Sequence, residues 1–218
     1  KINQIMGNED DIMTCSKFPI RRALTLFAVL SAVSACSSQP PQNEAPWLTG
    51  YTCCNLHYDG DWISDANYTD LPFIPAGTPI AVAHPVKDSY RAYATIGGRP
   101  FRLGLDFGRA VEGTEQWVGK IVMRDDPRIN NAAWSLDVRQ AIAQGKVMVG
   151  MTKEQALTAI GYPLPTKTPN LDSNVWRYWQ TSVIQYDVHW ENERVSQVSK
   201  AAEVKGGLPV VMPTKPVK

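Results

Sequence analysis

Apolar and polar residues alternate along 101–107: Phe101, Leu103, Leu105 and Phe107 fall on one side, Arg102, Gly104 and Asp106 on the other. A period of two predicts a strand with one buried and one wet face. Residues 90–96 form the partner strand, because Gly97-Gly98 between them accepts the positive φ values of a two-residue hairpin loop. With the short apolar run at 79–82, these segments predict a small antiparallel sheet or partial barrel.

From about residue 112 the period lengthens to that of a helix. Asp126-Pro127 reads as an N-cap followed by proline at the first helical position, with a short helix to Trp134. Asp137 with Gln140 predicts the cap of a second helix, whose apolar stripe is Val138, Ala141 and Ile142 and whose stop is Gly145. Thr152 and Gln155 make a capping box ahead of Ala156, Leu157 and Ile160, and Gly161 with Pro163 ends that helix.

An aromatic run at 175–180 then predicts a strand. Ile184, Tyr186, Val188 and Trp190 alternate with Gln185, Asp187, His189 and Glu191, and a turn at 191–193 leads into 194–198. The expected fold class is α+β: a small β-rich N-terminal domain (47–130), then an ααβββ domain (131–199) with two helices on a three-stranded antiparallel sheet. In that arrangement the Trp190 face is buried, and Asp187 and His189 face water. Trp176 and Trp179 point to opposite faces of one strand, so at least one indole is expected to look away from the core. Trp176, Tyr178, Trp179, Asp187 and His189 are therefore the candidate partner-binding residues, aromatic side chains being enriched in binding hot spots.

Ahead of these domains lies a targeting pattern. Lys17, Arg21 and Arg22 precede an apolar stretch at 23–33, too short to span a bilayer and followed by small residues, the order of a secretory signal peptide. Its end, Val33-Ser34-Ala35-Cys36, resembles the lipobox of bacterial lipoproteins. The resemblance implies that 1–35 holds the signal peptide with its upstream residues, that Cys36 carries the lipid (palmitate among its chains), and that Ser37 directs the protein to the outer membrane. Residues 36–46, rich in Ser, Gln and Pro, read as a tether, and 200–218, interrupted by Gly and Pro, as a disordered tail.

Charge narrows the partners. In 218 residues, 22 Lys+Arg face 21 Asp+Glu, so nothing favours nucleic acid. Removing 1–35 takes away four basic and three acidic groups, which leaves a neutral body that only its lipid would hold at a membrane. Of the cysteines, the adjacent pair Cys53-Cys54 remains, and in an oxidising compartment three states are open to it: a vicinal disulfide, two free thiols, or pairing with another chain. No second ligand group stands near His57, and the calcium-loop spacing is missing around Asp59, Asp61 and Asp65, so neither metal nor cofactor is expected. Nor does a nucleophile, zinc-protease or phosphate-loop motif occur, and the expectation is a protein that is not an enzyme.

The combination 149–155 (Val-Gly-Met-Thr-Lys-Glu-Gln), 160–163 (Ile-Gly-Tyr-Pro), 176–178 (Trp-Arg-Tyr) and 186–195 resembles the SmpA/OmlA family, the BamE-like domains of outer-membrane lipoproteins. The resemblance covers 137–198. It implies an ααβββ domain and a noncatalytic role at the periplasmic face of the outer membrane, with a component of the β-barrel assembly machinery as candidate envelope partner. Residues 71–108 faintly resemble bacterial SH3-like modules that hold peptidoglycan peptides, which makes a cell-wall-binding lipoprotein the alternative.

Overall fold

A computed structural model describes residues 45–85 and 89–201. The expected signal peptide, Cys36, most of the tether and nearly all of the tail lie outside the described residues. Among those described, no helix is long and apolar enough to cross a membrane.

The chain is α+β. The first half contains β1 (Leu48–Thr52), β2 (Leu56–His57), β3 (Trp62–Ser64), β4 (Phe73–Ile74), β5 (Pro79–Val82), β6 (Arg91–Ile96), β7 (Arg99–Gly104), α1 (Thr114–Ile121) and β8 (Val122–Met123). The second contains α2 (Pro127–Asn131), α3 (Leu136–Ala143), α4 (Lys153–Ile160), β9 (Val175–Trp179), β10 (Gln185–Glu191) and β11 (Arg194–Lys200).

In the first half six strands curl into one sheet in the order β3-β7-β6-β5-β1-β8, with β2 and β4 pairing separately. The β6–β7 hairpin closes where the sequence places it: Ile96 pairs with Arg99 across Gly97 and Gly98, at φ 56° and 79°. Beyond the hairpin the sheet departs from the expected antiparallel one, because β3 joins β7 in parallel. The inward side chains Ile63, Ile80, Val82, Ala92, Ala94, Ile96, Phe101, Leu103 and Leu105 pack with Trp117, Val118 and Ile121 of α1. Burial of these apolar surfaces supplies the main drive for this half, at about 25 cal/mol per Å² removed from water.

The helix starts follow their caps. The Asp126 carboxylate accepts from the Arg128 N–H, and Thr152 and Gln155 form the reciprocal capping box. For α3 the cap is Ser135 rather than Asp137: its hydroxyl accepts from the Val138 N–H, which starts the helix one residue before Asp137.

β9, β10 and β11 form an antiparallel meander with β10 central. Its Trp176, Tyr178, Val188, Trp190 and Val195 side pack against Met151, Ala156, Ala159 and Ile160, with Val138, Ala141 and Ile142 of α3 at the margin. Trp176 and Trp190 meet at 4.4 Å between ring centroids.

The opposite side of the meander corrects an expectation. Trp176 and Trp179 do point to opposite faces, yet they are only 0% and 4% exposed. Trp179 is covered mainly by the first half: it packs with Ala66 and with Leu164 from the loop after α4, stacks on Phe107 at 6.3 Å, and Phe107 in turn meets Tyr68 edge-on. Tyr178 is also buried, its hydroxyl donating to the Gly161 carbonyl at 3.1 Å. With Trp176 and Tyr178 on the face covered by the helices and Trp179 in an internal junction on the other, none of these three side chains is exposed.

Asp187, expected in water, is 6% exposed. Register explains it: Asp187 lies directly across from Arg177, whose Nε and Nη2 donate to its two carboxylate oxygens at 2.8 and 2.9 Å. His189 is half-buried, with Nε2 2.8 Å from Ser199 Oγ. Replacing Asp187 by alanine strands the guanidinium. The Arg177 side chain keeps 22% of its surface in water, so we expect a loss of about 1–3 kcal/mol, below that for breaking a fully buried pair. Urea unfolding of the variant measures it, and an unchanged midpoint would make the pair energetically silent.

Candidate functional site

Two buried asparagines bring chemistry-bearing groups together. The last carbonyls of a helix have no partner within it. Here those of α4 and α3 are met from the first half: Asn55 Nδ2 donates to Ala159 O at 2.9 Å and Ile142 O at 2.7 Å, and Asn67 Nδ2 donates to Ile160 O at 2.8 Å. Asn55 Oδ1 accepts from the Ala76 N–H, and Asn67 Oδ1 from the His57 N–H. Gly161, at φ 78°, ends α4 so close to Asn67 that a Cβ would stand 2.4 Å from its Nδ2. Only glycine fits there.

The segment leading into Asn55 is Cys53-Cys54, and its two sulfurs are bonded to one another. Of the three states left open by the sequence, the structure holds the vicinal disulfide. The Cys53 N–H donates to the Ile121 carbonyl and the Asn55 N–H to the Thr158 carbonyl, so the pair is pinned between the end of α1 and α4. Both cysteines line a cleft of about 240 Å³ with Met123, Leu157, Thr158 and Tyr162. Pro127, Asn130 and Asn131 of α2 and Glu154 of α4 complete the wall, which includes no Lys, Arg or His. This is the candidate site, and sequence reading reached only its floor: nothing in the spacing of Cys53-Cys54 announces that α2 and α4 will close over it.

On the far side of Tyr162 lies a buried carboxylate. Asp65 accepts from the backbone N–H groups of Asp106, Phe107 and Gly108, the last at 2.6 Å. Burial pushes its carboxyl up to about 6 against the opposing pull of those donors, and the charge of Asp106 adds to the rise. Burial likewise pushes the nearby Tyr68 hydroxyl up to about 12. With its lone pairs spent on a loop, Asp65 is a structural acceptor.

The histidines are dispersed. His84 sits 6.0 Å from the Trp47 ring, and His189 lies on the meander. His57 is buried, with Nδ1 2.7 Å from the Leu71 carbonyl, which fixes its proton on that nitrogen; Nε2 has no hydrogen-bond partner among the described residues. Desolvation lowers its pKa below 6.5, outweighing the hydrogen bond to Leu71. Among the described residues no group of three metal-ligating side chains occurs.

The lowered histidine carries a definite sign. Below pH 6.5 the unfolded chain takes up a proton that folded His57 refuses, so its contribution to stability is present above 6.5 and is lost on acidification. Asp65 acts oppositely: the fold holds its proton up to about pH 6 and the unfolded chain only to about 4, so acidification through 6 stabilises. His57→Phe isolates the first effect. At pH 7 the variant is expected to be about 1 kcal/mol less stable, having lost the bond to Leu71. That gap should shrink as pH falls to 5, which paired urea titrations read directly; parallel curves would mean that His57 titrates normally.

Exposed apolar side chains occur elsewhere. Met148 and Val149 lie in a turn tied to β11 by the Gly150 N–H to Val195 carbonyl bond, and Val198 lies on β11 itself. Compared with known proteins, the chain matches no family model, no curated protein and no solved structure.

Proposed function

We propose that this chain is a lipid-anchored lipoprotein at the periplasmic face of the outer membrane that binds another envelope protein and is not an enzyme. The β-barrel assembly machinery is the candidate partner. The observation that carries the reading is the order α3, α4, β9, β10, β11, with apolar side chains of both helices turned to one face of an antiparallel meander. That is the ααβββ order implied by the resemblance to the SmpA/OmlA family, and it accompanies a lipobox-like Cys36 in the same chain.

A noncatalytic role is supported by how the reactive groups are used. Asp65 is tied to three backbone N–H groups, Asp187 to Arg177, and the three histidines stand in separate places. No nucleophile and base are paired among them, as catalysis would need. With Trp176, Tyr178 and Trp179 buried, the contact surface falls to side chains that are exposed, and Met148, Val149 and Val198 are apolar ones adjoining β11.

Co-purification from detergent-solubilised envelopes tests this. A barrel-assembly subunit should accompany the wild-type chain and be depleted with Val149→Asp plus Val198→Asp, and metabolic palmitate should label the chain but not Cys36→Ser. Release of an unlabelled wild-type protein by osmotic shock would overturn the reading.

One feature favours the cell-wall alternative. On the first half, Arg91 lies over the Trp62 ring at 5.4 Å and Arg109 over Tyr90 at 5.5 Å, while Arg102, also over Trp62, is already held by both carboxylate oxygens of Asp61. Guanidinium groups backed by aromatic rings suit carboxylate-bearing peptides. Sedimentation with purified murein, lost in Arg91→Ser plus Arg109→Ser, would establish that reading instead.

A further inference from the structure

We infer that Cys53–Cys54 is a reversible thiol-exchange site, entered through the cleft beside α4, whose reduction releases the clamp between α4 and the first half. Both cysteines line an open cleft, and Cys53, 7% exposed against 1% for Cys54, is the more accessible residue, which makes its sulfur the one we assign to attack by an incoming thiolate. A disulfide between distant parts of a chain closes a long loop and stabilises by restricting the unfolded state. Between neighbours it closes almost none, so that role has little to contribute here. What the bond does constrain is the backbone of two residues that stand at a junction.

The chemistry requires a dithiol. Its thiolate attacks Cys53 Sγ, forming a mixed disulfide as the Sγ–Sγ bond breaks and the electron pair leaves on Cys54, which takes a proton. The second thiol of the reductant then attacks its own sulfur in the mixed disulfide and closes a ring, and Cys53 leaves as a thiolate and is protonated. Two electrons and two protons pass to the protein, and the dithiol becomes a disulfide. Since the cleft wall includes Glu154 and no basic residue, dithiols without a further negative charge enter more readily than anionic ones.

The consequence follows from the flanking hydrogen bonds. Cys53 N–H is held by Ile121 O and Asn55 N–H by Thr158 O, and the Asn55 side chain holds the ends of α3 and α4. Once the ring formed by the two cysteines opens, both residues regain torsional freedom between those anchors. The α4 contacts are then the ones that loosen; both cysteines also belong to the core that holds Leu103 and Val82, but the β6–β7 pairing is not anchored through them and should hold.

The full-length protein is treated with dithiothreitol under native conditions, and the peptide containing both cysteines is followed by mass spectrometry after alkylation in denaturant, alongside amide hydrogen exchange. The expected result is complete reduction without global unfolding, and about tenfold faster exchange at Asn55 and at 158–161 with unchanged exchange in β6 and β7. Leu157→Trp, which narrows the cleft, should slow reduction about tenfold, with exchange of its own oxidised form as the baseline for its reduced form. Cys53→Ser plus Cys54→Ser should show the fast exchange with no reductant present. The inference is overturned if reduction occurs only on global unfolding, or if fully reduced protein keeps the oxidised protection at Asn55 and 158–161.

Discussion

Trp179→Ala is expected to cost about 3–5 kcal/mol, the range for removing a large buried aromatic side chain. The site has little means of collapsing, because the indole is held by Ala66, Leu164, Tyr68 and Phe107, residues of two halves that are themselves anchored in separate sheets and loops. Its loss should therefore be felt at the junction: the flanking bonds from Thr69 N–H to Trp179 O and from Asp70 N–H to Gln180 O should exchange faster than those inside the meander. Trp179→Phe makes the test specific. The indole Nε1 is buried without a hydrogen-bond partner among the described residues, a standing penalty that phenylalanine removes. Some volume is lost in return, so this variant should cost less than about 2 kcal/mol. A urea series with both variants decides: equal losses would show that the stacking on Phe107 contributes nothing that the smaller ring keeps.

Trp179 also marks where sequence reading ends. Short-range rules located the Gly97-Gly98 hairpin, the Asp126-Pro127 start and the Thr152–Gln155 box, because each is settled by residues within one turn of chain. The alternation at 184–190 sorted side chains into two faces without saying what covers each. The cover on the second face comes from Phe107 and Tyr68, about 70 to 110 positions away, and no periodicity carries that information. Asp187 was misplaced for the same reason: only strand register puts Arg177 opposite it. The parallel entry of β3 beside β7 and the short β8 beside β1 are likewise long-range outcomes. At the candidate site, the sequence shows the cysteine pair but not its state, and nothing in it singles out Asn55 or Asn67, asparagine being a residue type that is mostly exposed.

Asn55→Ala is expected to cost about 3–5 kcal/mol, more than a typical hydrogen-bond deletion, because one side chain serves three partners. Removing it leaves the Ala159 carbonyl and the Ala76 N–H without this partner and the Ile142 carbonyl with only the Gly145 N–H, at the ends of two helices and in the loop before β5. The Ile142 carbonyl lies nearer the surface and can recover a water, which holds the total below three full desolvation penalties. Asn55→Asp separates shape from hydrogen bonding. It preserves volume and the acceptor for Ala76 but turns the one nitrogen that donates to both carbonyls into an oxygen facing them, and at neutral pH it buries a charge. The folded pKa of that new carboxyl must rise, so the variant regains stability as pH falls below that value, when the protonated acid can donate to one carbonyl again. Midpoints measured for alanine and aspartate variants at pH 7 and pH 5 should therefore diverge, aspartate recovering and alanine not. If the alanine variant unfolds at the wild-type midpoint, α3 and α4 are held by their apolar contacts alone, and the hydrogen bonds that flank Cys53–Cys54 lose their claim to couple the disulfide to those helices.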